Sequence, residues 1–305
     1  MNENENKKVK VVVTGGAGFI GSHLADALVK EGYNVHIVDN LSAGKREHVH
    51  PDAVLHVVDI RDYDKIKETF SSTDTVFHLA AIPQVQYSIE NPALTNEVNA
   101  QGTMNVLAAA KDTGVRRVVY SASSAVYGDR EDAPFREEME ASPMSPYALQ
   151  KYMGELKCKL FSMLYPLETV SLRYFNVYGT RQDPHHPYAG VVGRFLLLRG
   201  EGKPLTITGD GMQTRDFVHV SDVVRANILA MKSANVGNGE VINIGTGKEV
   251  SVKEIAEIIG GESMYVPPRI EPKRSCADVT KAKELLGWKY EMDLKNGLSN
   301  LMQEK

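Results

Sequence analysis

One stretch limits this chain more than any other: Lys10-Val-Val-Val-Thr-Gly15-Gly-Ala-Gly18-Phe19-Ile20-Gly21-Ser-His-Leu24. Val9, Val11, Val12 and Val13 form a β-branched run of the length a buried parallel strand needs. Ile20, Leu24, Ala27 and Leu28 then recur at helical spacing. Between strand and helix, the three glycines permit a tight turn, backbone approach to a pyrophosphate, and close helix–strand packing. The helix N-terminus offers its first N–H groups to a phosphate. A second strand, Val35-His-Ile-Val-Asp39, ends in a carboxylate 18 positions after Gly21, where an acid meets an adenosine ribose 2′-hydroxyl. Asp39 repels a 2′-phosphate and Asn40 is neutral, so the residues read as a site for NAD rather than NADP.

Strand and helix signals keep alternating. Strands are expected at 54–58, at 75–79 leading into Ala80-Ala81, at 117–121 and at 169–173. Asn91-Pro92 reads as an N-cap with proline at the first helical position, opening a helix to about Thr113 with Gly114 as its stop. A longer helix is expected over 147–165. This pattern predicts a doubly wound parallel (Rossmann) sheet over residues 9–173. After Arg173 the pattern loosens into a smaller, irregular α/β domain, residues 174–305, interleaved with the first through returns near 215–244. Here the sequence predicts a loop over 178–188, a helix over 191–199 and strands at 205–208 and 216–220. A helix capped by Ser221 should run to Met231, a strand at 240–244 should return to the main sheet, and Ser251 should cap a helix over 252–259. Residues 265–274, with three prolines and four charges, read as a lid loop, followed by short helices at 280–286 and 294–302. A ligand is expected between the domains, outside the carboxyl ends of the strands.

Composition excludes several classes. The net charge of -4 argues against a general nucleic-acid binder. Cys158 and Cys276 stand far apart and make no metal-ligand pattern, so no metal is expected and a reduced, cytoplasmic setting is the simple reading. Met1 to Lys8 is polar, without the apolar core of a signal peptide. No apolar run approaches the ~18 residues of a membrane span.

Tyr147-Ala-Leu-Gln-Lys151 opens the long helix, and a spacing of four puts both side chains on one face. A tyrosine with an ordinary pKa of about 10 needs about 4 kcal/mol of phenolate stabilisation to act as a base near neutrality. A lysine one turn away and a cationic nicotinamide ring are sources of it. Ser123 leaves the fifth strand at its carboxyl end, 24 residues before Tyr147, and offers a hydroxyl to the oxygen being oxidised.

These motifs resemble the extended short-chain dehydrogenase/reductases and, within them, the UDP-hexose 4-epimerases. The resemblance runs over nearly the whole chain from Val9. It rests on TGGAGFIGSHL, Asp39-Asn40-Leu41-Ser42 with Gly44, Asp59-Ile60, His78-Leu79-Ala80-Ala81, Asn99 with Gly102-Thr103, and Ser123 with Tyr147 and Lys151. It continues through Arg173-Tyr174-Phe-Asn176-Val-Tyr-Gly and Gly209-Asp-Gly-Met-Gln-Thr-Arg215-Asp-Phe. It implies an NAD-dependent inversion of C4 in a UDP-hexose through a transient 4-keto sugar, with Ser123, Tyr147 and Lys151 as the catalytic group. The implied cofactor contacts are Gly15, Gly18, Phe19, Ile20, Gly21, Asp39, Asn40, Ser42, Gly44, Asp59, Ile60, Leu79, Ala80, Ala81, Asn99, Ser121, Tyr147, Lys151 and Tyr174. The implied substrate contacts are Gln84, Ser123, Ser124, Tyr147, Asn176, Val191, Thr206, Arg215, Arg269, Glu271 and Ser275. The loop holding Arg269 and Glu271 is one residue shorter than the family pattern. Ser275, just ahead of Cys276-Ala277-Asp278, matches the position bordering the sugar C2 substituent. A small residue there leaves room for an N-acetyl group. The resemblance also implies a homodimer built from the helices at 92–113 and 147–165. Competing readings are a nucleotide-sugar 4,6-dehydratase, a UDP-glucuronate epimerase or decarboxylase, and a non-catalytic NAD-binding regulator. Ser123-Ser124 stand where a dehydratase carries an Asp-Glu pair, which disfavours the first.

Overall fold

The valine run of strand β1 (Lys10–Thr14) lies fully buried at the middle of a parallel sheet, between β2 (Asn34–Asp39) and β4 (Thr75–His78). We obtained the fold as a computed structural model, which describes residues 8–185, 189–268 and 271–303. The first half alternates as the apolar periodicity requires. Helix α1 (Phe19–Lys30) follows β1, and β3 (Val54–Val57), α2 (Tyr63–Thr69) and β4 come next. Then come α3 (Val85–Glu90), α4 (Pro92–Asn96), α5 (Gly102–Asp112), β5 (Arg117–Ser123), α6 (Pro146–Leu164) and β6 (Glu168–Tyr174).

The second half contributes β7 (Asn176–Tyr178), α7 (Val191–Gly200), β8 (Leu205–Thr208), β9 (Thr214–Arg215), β10 (Phe217–His219) and α8 (Val220–Lys232). It ends with β11 (Asn238–Ile244), β12 (Val250–Ser251), α9 (Val252–Ile259), β13 (Ser263–Val266), α10 (Thr280–Leu286) and α11 (Leu294–Gln303). The main sheet reads β11-β6-β5-β4-β1-β2-β3, all parallel. Strand order reverses between β1 and β4, so the switch point of this doubly wound α/β sheet opens at their carboxyl ends. One apolar core packs α1, α8 and α10 on one face; a second packs α2, α5 and α6 on the other. A third core joins α7, β8, α9 and α11.

Four local expectations need correction. The single helix expected over 92–113 is broken by a π turn, Glu97–Gln101. Wider turns leave carbonyls over; here the Lys157 ammonium donates to Ala100 O at 2.6 Å and the Thr103 hydroxyl to Asn99 O at 2.6 Å. The short helix α3 was not anticipated. The cap of α8 is His219, whose Nδ1 accepts from Ser221 N at 3.3 Å, so Ser221 lies inside the helix. Tyr265 and Val266, expected in a lid loop, pair with β8 instead. Ser251 does cap α9, in a reciprocal capping box with Glu254.

Candidate active site

The floor of the site is the glycine loop after β1. Gly15 takes a φ of +71°, and a Cβ on it would come within 2.7 Å of Ala80 N at the end of β4. A Cβ on Gly21 would sit 2.2 Å from Gly15 O. Only backbone fits at either place. Helix α1 opens at Gly18 with no side-chain cap, so its first N–H groups are left for an anionic group. Phe19 and Ile20 form its first turn, half-buried.

Asp39 closes the far wall, nearly buried. Its two carboxylate oxygens accept Ala17 N at 3.0 Å and Leu41 N at 2.8 Å, which leaves lone pairs for a sugar diol. Gly44 lies directly against that carboxylate, where a Cβ would meet Oδ2 at 2.8 Å. Asn40 bridges outward: its amide donates to Asp59 Oδ2 at 2.9 Å, and its oxygen accepts Ser42 N at 3.0 Å. Hydrogen bonds from the Arg61 side chain, above all, hold Asp59 down at about 2. Ile60 is buried beneath Gly102. Leu79, Ala80 and Ala81 are half-buried on the opposite wall, with Leu79 N and Ala80 N tied to Thr14. These residues fit a dinucleotide: a cradle only glycine can make, an uncapped helix start for the pyrophosphate, and an acid beside it.

Asn99 adjoins the end of that wall. Its side-chain oxygen accepts Ile82 N at 2.8 Å, and its amide donates to Ile82 O at 3.0 Å and Gln150 Oε1 at 2.8 Å. It is buried and shapes the segment after Ala81. Tyr174 likewise turns inward, its hydroxyl donating to Asn227 Oδ1 at 3.0 Å.

Over this floor, α6 presents Tyr147 and Lys151, both buried. The Ser123 side chain lies beside the Tyr147 phenol and draws its pKa down, and Ser123 Oγ accepts Ala125 N at 3.2 Å. Ser124 follows in the next turn, half-buried. The Lys151 ammonium donates to Ser121 O at 2.6 Å and lies 5.9 Å from the Tyr147 ring centre. Burial pushes the Tyr147 phenol above its ordinary value, and the Ser123 hydrogen bond opposes it. Burial also pulls Lys151 down to about 8, against the pull of Glu155. The bond to Ser121 O takes one of the three N–H donors of the ammonium.

Substrate-side residues line the second half. Asn176 N and its side-chain amide both donate to Asp216 O, at 3.0 and 3.2 Å. Arg215 pairs with Glu271 at 2.7 Å, and Gln213 Nε2 reaches the same carboxylate at 3.3 Å. Ser275 is nearly buried and Gln84 half-buried just before α3. Val191 packs against the third core at the start of α7, and Thr206 lies half-buried in β8. Arg269 lies outside the described residues. Among the described residues, no cluster of three or more His, Cys, Asp or Glu side chains is placed to hold a metal ion, and no helix is long and apolar enough to cross a membrane. Sequence reasoning missed Ser88 and Gln150, which bond the catalytic helix. Gln150 had a faint signal, a polar residue on the buried side of an amphipathic helix.

A Rossmann sheet with a glycine-loop cradle, a buried Tyr-Lys pair and a half-buried serine beside it defines a dinucleotide-dependent enzyme acting on an alcohol or its ketone. Residues 11–245 match the NAD dependent epimerase/dehydratase family, and the chain belongs to it. It is an NAD-dependent enzyme of the UDP-glucose 4-epimerase-like class. The solved structure of UDP-glucose 4-epimerase from Thermotoga maritima with UDP-glucose is 41% identical, with a TM-score of 0.91 over 95% of this chain and 96% of that one. A UDP-N-acetylglucosamine 4-epimerase from Methanobrevibacter ruminantium, solved with UDP-N-acetylmuramic acid, is 36% identical, with a TM-score of 0.91 over 98% of this chain and 100% of that one. A UDP-N-acetyl-alpha-D-glucosaminuronate decarboxylase from Bacillus cytotoxicus is 37% identical over 97% of each chain.

His78, under the cofactor wall, gives a pH prediction. Thr103 donates its proton to Asn99 O, so it accepts from His78 Nε2 at 2.9 Å, while Nδ1 faces the Thr14 hydroxyl at 2.8 Å. This is a neutral imidazole, and burial, reinforced by Lys151 and Lys157, drives its pKa down to about 3. The unfolded chain, with an ordinary value of about 6.5, binds a proton the native state refuses. Stability should be full above pH 6.5 and fall steadily as pH drops toward 3. Urea midpoints measured across that range should decline, less steeply in His78→Asn; parallel curves for the two proteins would remove His78 as the cause.

Proposed function

We propose that this enzyme inverts C4 of UDP-hexoses, taking both the glucose/galactose pair and the N-acetylglucosamine/N-acetylgalactosamine pair. The observation that carries the reading is the buried Tyr147 phenol beside the Ser123 side chain, with buried Lys151 one turn along the same helix and the Arg215–Glu271 pair in the second half of the chain. Tyr147 takes the proton of the sugar 4-hydroxyl, and Ser123 holds the same oxygen. The chemistry NAD supplies when bound is reversible hydride acceptance at C4 beside a positive ring, which leaves a transient 4-keto sugar and no net redox change. Arg215 suits a diphosphate through its planar fork. Binding of the remote nucleotide retains the sugar while it turns to present its other face. Glu271 then changes partners, from the Arg215 guanidinium to hydroxyls of the nucleotide. A dehydratase lacks support, because Ser123-Ser124 offer no second acid. A decarboxylase shares the oxidation step and separates on product: carbon dioxide from UDP-glucuronate rather than an inverted hexose.

The apolar side chains Leu149, Leu156, Leu160 and Met163 recur at helical spacing on α6 and are exposed, as is Leu94 on α4. A second copy of the chain covers them, by this reading, in a bundle of α4–α5 and α6 from each protomer.

Three outcomes follow. Tyr147→Phe should lose turnover of both sugar pairs by roughly three orders of magnitude or more, since general acid–base catalysis contributes about 10²–10⁴-fold; near-normal product formation by chromatography would end the assignment. Ser275→Tyr should cut N-acetylhexosamine turnover at least about tenfold while sparing the plain hexoses, and equal loss on both would count against a C2 wall. Leu156→Glu with Leu160→Glu should convert a dimer to monomer in sedimentation; a monomeric wild type would refute the bundle.

A further inference from the structure

The first turn of a helix leaves N–H groups that need partners, and in α6 that turn carries Tyr147. Pro146 has no N–H to satisfy. Ala148 N bonds the Ser145 hydroxyl at 3.1 Å, and Leu149 N bonds Ser145 O at 3.0 Å. The remaining donor, Tyr147 N, finds the Ser88 hydroxyl at 3.1 Å, 59 residues earlier in the chain. Ser88 is fully buried, and its own proton goes to Val85 O at 2.6 Å, which turns the oxygen's lone pairs toward Tyr147.

A second tie lies one turn along. Gln150 is buried between Tyr147 and Lys151 in sequence, accepts from Asn99 Nδ2 at 2.8 Å and donates to Thr95 Oγ1 at 3.1 Å. Asn99 in turn grips Ile82 by both backbone groups. The catalytic helix is thus bonded on one side to the segment running from the cofactor wall at Ala80-Ala81, past Gln84, into α3 and α4.

We infer that Ser88 and Gln150 are positioning residues for the epimerase reaction: they fix the tilt and height of α6, and so bring the Tyr147 hydroxyl to the oxygen it must deprotonate. The inference rests on the proposed role of Tyr147. A tyrosine hydroxyl is the far end of a long rigid side chain, so a small tilt of the backbone becomes a displacement at that oxygen. Neither Ser88 nor Gln150 alters charge at the site. Their loss should therefore slow the proton step without moving the pH at which activity rises.

The test compares Ser88→Ala, Thr95→Val and Tyr147→Phe as holoenzymes on UDP-galactose. Thr95→Val removes the acceptor for Gln150 Nε2 without adding charge, so it serves if Ser88→Ala does not fold. Misplacement of a reacting group by about 1 Å costs up to about a hundredfold, so kcat in Ser88→Ala should fall roughly ten- to hundredfold. The KM and the amount of bound NAD should stay within about twofold, with the acid limb of the pH profile in place. A lower melting temperature with unchanged kcat would make the seam purely structural and overturn the inference. So would kcat and KM moving together with loss of NAD, which marks collapse of the site. Turnover surviving in Tyr147→Phe would bring down the underlying proposal instead, whatever Ser88→Ala does.

Discussion

The molecule depends on two backbones meeting without side chains between them. Gly15 rests on the end of β4, and Gly21 rests on Gly15 O at a distance no Cβ tolerates. That approach holds β1, α1 and β4 in the relation that opens the switch point. Gly15 N also donates to Val38 O at 2.8 Å, which draws the end of β2 to the same place and delivers Asp39 to the crevice. Any larger residue at Gly21 meets backbone that is itself pinned in the sheet. The crevice is therefore a property of packing, present before any dinucleotide binds.

Burial works on Tyr147 and Lys151 of α6 in opposite directions. A phenolate alone is costly in this low-dielectric setting, and so is an ammonium alone. Together they form a neutral pair, which desolvation penalises far less than either charge by itself. Lys151 already has its proton held by Ser121 O, and Glu155, one turn below, favours that charge. Glu155 is in turn satisfied by Arg173, through two hydrogen bonds of 2.8 and 2.7 Å, and the Arg173 guanidinium lies over the Tyr127 ring at 4.7 Å. The helix thus carries a run of alternating charge into the sheet, so that creating a phenolate at its top completes a pattern instead of adding an isolated charge.

Much of this was readable from local spacing. The valine run, the glycine interval, the Asp39 position and the Tyr147–Lys151 interval each depend on residues close in sequence, where strand and helix periods act directly. A parallel sheet with helices on both faces followed from the alternation alone. What stayed hidden lies at long separation. The bonds of Asn99 to Ile82 and Gln150 join residues 17 and 51 positions apart, which spacing alone does not announce. The π turn depends on Lys157 reaching Ala100 O, 57 residues apart. His219 caps α8 in place of Ser221 because its imidazole Nδ1 accepts the Ser221 N–H and so starts the helix two residues earlier, a choice that propensity does not make.

The backbone on both sides of Ser275, the residue proposed to border the sugar C2 substituent, is tied down. Lys273 N is held by Asp129 at 2.9 Å and Lys273 O by Thr214 N at 2.9 Å. The Arg274 guanidinium pairs with Glu249 at 2.5 Å. On the other side, Cys276 O accepts Phe135 N at 2.7 Å, and Ala277 N donates to Asp216 Oδ2 at 3.1 Å. Asp216 also collects Thr246 and Gly247, so this strap is moored to the same residue pair that supplies Arg215. With its backbone fixed on both flanks, Ser275 has no room to retreat from a bulky substituent. Space at that point is set by the size of the side chain itself, and a change from serine to an aromatic ring converts directly into lost volume.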